Sequence, residues 1–158
     1  MKRITQFEED LAKELPETHA LLAGANLVVH DSVEMVTLHG SRGPQGGARP
    51  DSDVDLCLTV ERRAIDESPD AEALLREVLR MTAENWRGPV EADLAAAFDQ
   101  SGCGLRCLDT REFDPELCPS TVDCMGVFKV QRGFDGFVTG PVNDCSKMYP
   151  LMVIWRRP

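Results

Sequence analysis

The chain has 158 residues, 42% of them hydrophobic and 28% charged, with a formal net charge of −10. That length and composition fit one globular domain with a sizeable core, and no apolar run is long enough to span a bilayer. The acidic balance excludes a broad phosphate-tracking face for nucleic acid, but it leaves open a single nucleotide held through divalent cations, whose ligands are carboxylates.

The opening stretch, "MKRITQFEEDLAKELPE", turns acidic early and lacks the apolar core of a signal peptide, so a cytoplasmic location is expected. Over the first twenty-five residues Ile4, Phe7, Leu11 and Leu15 recur at three- and four-residue intervals, and Leu22 continues the stripe. This spacing predicts helix, with Pro16 breaking or kinking it or starting a second helix. "VEMVTLHG", residues 33–40, reads as a strand ending at a glycine, with Val33, Met35 and Thr37 on one face and Val36 and Leu38 on the other. "DVDLCLTV", residues 53–60, alternates cleanly: Val54, Leu56, Leu58 and Val60 share one face, and Asp53, Asp55, Cys57 and Thr59 the opposite one.

The next helix carries a Ser68 cap, Pro69 at its first position, and Asp70 and Glu72 at its positive end. Ala71, Leu74, Leu75, Val78, Leu79 and Trp86 form its apolar stripe, and Gly88 and Pro89 stop it. "VEADLAAAF", residues 90–98, follows as a strand, with Val90, Ala92, Leu94, Ala96 and Phe98 on one side and Glu91 and Asp93 on the other. Beyond Gly102, "GLRCLDT", "GVFKVQRGFDGFVTG" and "MVIWRR" read as short strands joined by glycine-rich turns, and Leu151–Trp155 is the clearest of them. The six cysteines, Cys57, Cys103, Cys107, Cys118, Cys124 and Cys145, are expected to be reduced thiols. Their spacing lacks the tight pairs of zinc modules, so small semi-buried roles are expected.

The stretch with most chemistry is "HGSRGPQGGARPDSDVDL", residues 39–56. Asp53 and Asp55, two apart on a strand, put their carboxylates on one face, roughly 6–7 Å apart along the backbone. Acids that close repel unless a cation lies beside them, and a hard divalent ion such as Mg2+ prefers oxygen ligands. Gly40 and Ser41 end the preceding strand, where backbone N–H groups and a hydroxyl can hold phosphate oxygens; Arg42 and Arg49 add charge complementary to a polyphosphate.

Gly-Ser, eleven intervening residues and then "DVDL" resembles the signature of the DNA polymerase β-like nucleotidyltransferase superfamily, in its minimal nucleotidyltransferase form. The likeness is densest over residues 36–60 and extends more loosely to about 98. It implies an α+β fold: a single domain over 1–158, built on a mixed β-sheet with helices packed on one face. The motif core would occupy about 30–98, and 103–158 would form a β-rich extension. By resemblance, Gly40 and Ser41 bind the β and γ phosphates of a nucleoside triphosphate, ATP above all, with Arg42 beside them as the candidate charge contact read from the residues. Asp53 and Asp55 hold two Mg2+ ions, and Asp93, with Glu91 as its fallback, supplies the third carboxylate. One departure is the loop: many minimal members have a short helix after Gly-Ser, whereas "RGPQGGARP" is rich in glycine and proline and slightly longer.

Taken singly, each feature has a plainer reading. Asp53 can close a turn, Gly40–Ser41 is far more often a turn than a phosphate cradle, and Asp93 alone reads as a solvated strand residue. His39 reads as a hydrogen-bonded structural residue; Lys129 and Arg132 are within range of a phosphate-contact reading, but a solvated hairpin edge is the plainer one. Phe128, Phe134, Phe137 and Trp155 read as core. Together and in this order, the acids and the Gly-Ser turn favour a Mg2+-dependent enzyme that moves a nucleoside monophosphate to a hydroxyl acceptor, a small molecule or a protein, and releases pyrophosphate. The alternative is a non-catalytic nucleotide-binding or protein-interaction module of the same fold, working beside a helical partner protein as in toxin–antitoxin-like pairs.

Overall fold

Backbone pairing, more than local propensity, sets where each element begins in the computed structural model, which describes residues 1–117, 124–138 and 145–158. The chain opens with β1 (Lys2–Arg3), followed by α1 (Glu9–Glu14), α2 (Pro16–Ala23), β2 (Val28–Val29), β3 (Val33–His39) and β4 (Val54–Val60). Then come α3 (Arg62–Glu67), α4 (Ala71–Asn85), β5 (Ala92–Asp99), β6 (Met125–Gln131), β7 (Phe134–Phe137) and β8 (Met152–Arg156). The fold is a single mixed α+β domain, with four helices and a six-stranded sheet in the order β7-β6-β5-β4-β3-β8 among the described residues. Strands β4 and β5 are parallel, and every other pairing in that sheet is antiparallel.

The alternation along β4 and β5 sorts their side chains between two cores. Val54, Leu56, Leu58 and Val60 join Leu94, Ala96 and Phe98 on the helix side, against Leu11 and Leu22 of the first helices and Leu75, Val78 and Leu79 of α4. Cys57 and Ala97 face the other way, onto Met35, Leu105, Leu108, Met125 and Leu151. The helices therefore cover one face, and loop segments cover part of the other. Asp55 and Asp93 belong to the face without helices.

Helix α4 is fastened as well as packed. Asp70, not Ser68, caps it, accepting a hydrogen bond from Ala73 N at 3.1 Å. Ser68 instead ends α3, a helix that the apolar pattern did not mark because none of its residues is buried. Thr82, fully buried in the apolar stripe, donates to the Val28 carbonyl at 2.7 Å and so ties α4 to β2.

Four further expectations are corrected. Residues 2–4 are extended, because β1 pairs with β2 and Ile4 N donates to the Leu27 carbonyl; Ile4, Leu11 and Leu22 are buried as the stripe requires, but on a strand end and two helices. Pro16 starts the second of these helices, which is one of the readings its position allowed. Between Val33 and Met35 the pairing with β4 advances one residue instead of two, a bulge that turns Val33 onto the helix-side face with Val36. "GLRCLDT" is a tight turn and a short 3-10 segment, Arg106–Asp109. The Asp99 carboxylate gathers the N–H groups of Ser101, Gly102 and Gly104 there, which curls the chain back so that Leu105 and Leu108 cap the second face. Finally, Phe134 is exposed on β7, whereas Phe128 and Trp155 are core.

Strands read at 126–131, 134–137 and 152–156 are present, and residues 139–140 of that reading lie outside the described residues. Cys57, Cys107 and Cys124 are buried and Cys103 exposed; Cys118 and the side chain of Cys145 lie outside the description. Among the described residues no helix is long and apolar enough to cross a membrane.

The α4–β2 tie generates a stability test. Thr82→Val keeps the volume but strands the Val28 carbonyl in the core, which costs about 1–3 kcal/mol. Urea unfolding is expected to show that loss with an unchanged m-value.

Candidate active site at the carboxyl pair

The site begins with a glycine that has no room for a side chain. Gly40 ends β3 at φ +68°, and a Cβ there would lie 2.0 Å from Asp55 Oδ2. Only glycine permits both the left-handed turn and the close approach. Behind it, residues 41–45 form successive turns with no helix, closed by Gly43 N to the Gly40 carbonyl at 3.0 Å. Thr18 of α2 donates to the Arg42 carbonyl at 2.7 Å and anchors the turn on the helix layer.

The parallel pairing of β4 with β5 sets Asp55 directly beside Asp93. Burial, and then the neighbouring Asp93, push the Asp55 carboxyl up from 3.8 to about 6, with Asp53 adding to the effect. Lys129 of β6 opposes it, placing Nζ 3.3 Å from Asp93 Oδ1. These groups line a recess of about 360 Å³ whose other walls include His39, Gly40, Gln45, Ala95, Val127 and Tyr149.

Asp53 sits just ahead of β4 and is exposed. It lines a neighbouring recess of about 460 Å³ with Glu91, Asp93 and Arg132, so Asp93 stands between the two hollows. Asp55 and Asp93 are thus brought together, with Asp53 on the outer rim and Glu91 beside it. Among the described residues, no three His, Cys, Asp or Glu side chains are grouped closely enough to form a ready metal cage.

Ser41 lies in the turn after Gly40, partly buried. Arg42 has a different task from the one expected. Its Nε donates to the Ser52 carbonyl at 2.7 Å, and its Nη2 to the Arg49 and Pro50 carbonyls at 3.2 and 3.1 Å, so it braces the loop that leads into Asp53. Arg49 is exposed and forms a 3.9 Å ion pair with Asp51.

His39 is structural, as read. Its Nδ1 donates to the Met148 carbonyl at 2.8 Å, so Nε2 accepts from the Thr37 hydroxyl at 2.7 Å. Burial holds the imidazole below its usual range, and the Met148 bond only partly offsets this. The ring straps residues 145–150 over the recess, where Tyr149 is fixed by a hydrogen bond to the Cys107 carbonyl.

Lys129 is the residue that sequence reading misjudged. It is not a solvated hairpin edge, since its side chain is only 25% exposed and points at Asp93. Alternation held the signal: Phe128 is core, so Val127 and Lys129 share the opposite face. Using it required knowing that β6 lies beside β5.

The donor set suits a hard divalent cation. Two carboxyls forced together need either a shared proton or a positive charge, and all the candidate ligands are oxygens. Compared with protein-family models, with curated proteins and with solved structures, the chain matches none.

The carboxyl pair sets a pH dependence. An acid whose value rises on folding, here from 3.8 to about 6, favours the folded state when protonated. That contribution is complete below about pH 4 and is lost as pH climbs through 6. Asp55→Asn removes the charge and with it this loss. The variant is expected to be more stable than the parent at pH 8 by on the order of 1 kcal/mol, after allowance for solvent screening. The difference should vanish near pH 4 in thermal unfolding without divalent ions.

Proposed function

We propose that the protein is a Mg2+-dependent nucleotidyltransferase with a polymerase β-like core, moving a nucleoside monophosphate from a triphosphate, ATP first among candidates, to a hydroxyl acceptor. The observation that carries this reading is the Asp55–Asp93 carboxyl pair set against the side-chain-free surface of Gly40. It sets Asp55 of the "GS…DVDL" stretch beside an acid of the later strand, Asp93.

In this reading Asp55 and Asp93 hold the cation, with Asp53 completing the ligand set from the rim when substrate is bound. Mg2+, when bound there, supplies a positive charge that lowers the pKa of the acceptor hydroxyl and stabilises charge on the leaving phosphates. The turn at Gly40–Ser41 receives the triphosphate tail, and Arg42 keeps that turn and the following loop in shape. The acceptor oxygen forms a bond to the α-phosphorus as the bond from phosphorus to the β-phosphate oxygen breaks. Pyrophosphate leaves, and Asp93 accepts the hydroxyl proton. Ala95 and Val127 give one side of the recess an apolar wall. A cytoplasmic setting, rich in Mg2+ and nucleoside triphosphates, suits this chemistry.

One observation favours the alternative of a non-catalytic module paired with a helical partner protein. The Lys129–Asp93 ion pair already neutralises one of the acids without a metal.

Pyrophosphate release separates the two readings. With Mg2+, each nucleoside triphosphate in turn and a panel of small alcohols and hydroxyl-bearing proteins, release is expected for the parent chain. Asp93→Asn should lower turnover by orders of magnitude while Mg2+–triphosphate still binds, because it removes the proton acceptor more than the phosphate contacts. Binding without release in the parent chain would favour the module.

A further inference from the structure

Lys129 is the one lysine or arginine among the described residues that line the Asp55–Asp93 recess. Its direction is built into the fold. Phe128 is fully buried on the helix side, with the Arg76 guanidinium 5.3 Å from its ring centre, and this pins the facing of β6. One residue on, Lys129 must then point to the opposite face, over β5 and towards Asp93. Its ammonium lies 3.3 Å from Asp93 Oδ1. That is the kind of place a divalent ion shared by the two carboxyls would take its charge contact.

We infer that Lys129 is a displaceable counter-ion: its ammonium competes with the divalent cation for Asp93, and once displaced it engages the phosphate oxygens of the incoming triphosphate. This rests on the nucleotidyltransferase reading of the same site. The reasoning is one of charge. A carboxyl pair in a half-enclosed recess is unstable without a positive partner, and an ammonium on a flexible four-carbon stem supplies one at little structural cost. A divalent ion is the stronger partner for both carboxyls, so its entry leaves the ammonium beside a metal that repels it. The triphosphate then offers the nearest anionic oxygens. Lys129 is thus a positioning residue that couples metal entry to nucleotide binding. A lysine suits this exchange better than arginine, because its compact charge can move from one partner to the next.

Mn2+ alone, titrated into the full chain at pH 8 and followed by the electron paramagnetic resonance of the free ion, tests the competition. Lys129→Met is expected to bind Mn2+ about fivefold more tightly than the parent, the scale of one partly exposed ion pair. Lys129→Arg should stay close to the parent. With saturating Mn2+, a non-hydrolysable ATP analogue should bind about fivefold more weakly to Lys129→Met. Circular dichroism checks the fold, and Lys129→Gln replaces the methionine variant if that one unfolds. Mn2+ binding no tighter in the neutral variants, or analogue binding as tight as in the parent, overturns the inference. If instead the parent chain binds no Mn2+, or Asp55→Asn binds it equally well, the nucleotidyltransferase reading falls and this inference with it.

Discussion

Two carboxyl groups held against each other on neighbouring strands are the constraint around which this end of the molecule is organised. Asp55 and Asp93 are adjacent because β4 and β5 run parallel in a register that also stacks Leu56 on Leu94 and Leu58 on Ala96. The hydrophobic sorting of those strands into the helix-side core therefore fixes the acids on the other face, and no small local shift can part them. A one-residue slip would bury the acids and expose the leucines. The cost of the repulsion is carried by a raised Asp55 and by the Lys129 ammonium, and it is sustained by the core on the far side of the same strands.

Neighbouring features make sense as supports for that pair. Gly40 gives the Asp55 carboxyl the space that any side chain would take. Thr18 holds the following turn to the helix layer, and Arg42 ties the far end of the loop to the turn, so the glycine-rich stretch between β3 and β4 is fastened at both ends. On the opposite wall, the neutral His39 ring carries the strap of residues 145–150 across the recess. Such an arrangement offers a hard cation two oxygen ligands beside a turn whose glycine lets the Asp55 carboxyl lie against the backbone. These are the requirements of phosphoryl chemistry that works through positioning and charge.

Much of this was legible in the residues. The strict alternation of "DVDLCLTV" and "VEADLAAAF" marked the helix-side apolar rows, and it put Asp55 and Asp93 opposite them; that a second core lies on that opposite face was not legible. Asp53 was legible only as a neighbour in sequence, since the strand begins one residue later and leaves it on the rim. Other features depended on partners far away in the chain. Ile4 sits in a helical stripe, yet Leu27 takes its N–H. Val33 follows the alternation of β3 only until the bulge reverses it. Arg42 reads as a phosphate ligand until three carbonyls of its own loop claim it. Lys129 reads as a hairpin edge, because the order of strands decides which side chains meet, and a sequence with hairpin signals does not state which strand the hairpin joins. The functional reading rests on Asp55 of that strand–turn–strand stretch and on Asp93, which the parallel pairing of β5 brings beside it.

The central claim is that this acid pair is a metal site facing a triphosphate. The most direct measurement is a crystal structure of the chain soaked with Mn2+ and a non-hydrolysable ATP analogue, with anomalous scattering used to locate the metal. The account predicts a Mn2+ peak bound by Asp55 and Asp93, with phosphate oxygens in contact with it and with the Gly40–Ser41 turn. A nucleotide bound elsewhere, or a recess that takes no metal while Lys129 stays on Asp93, would contradict it.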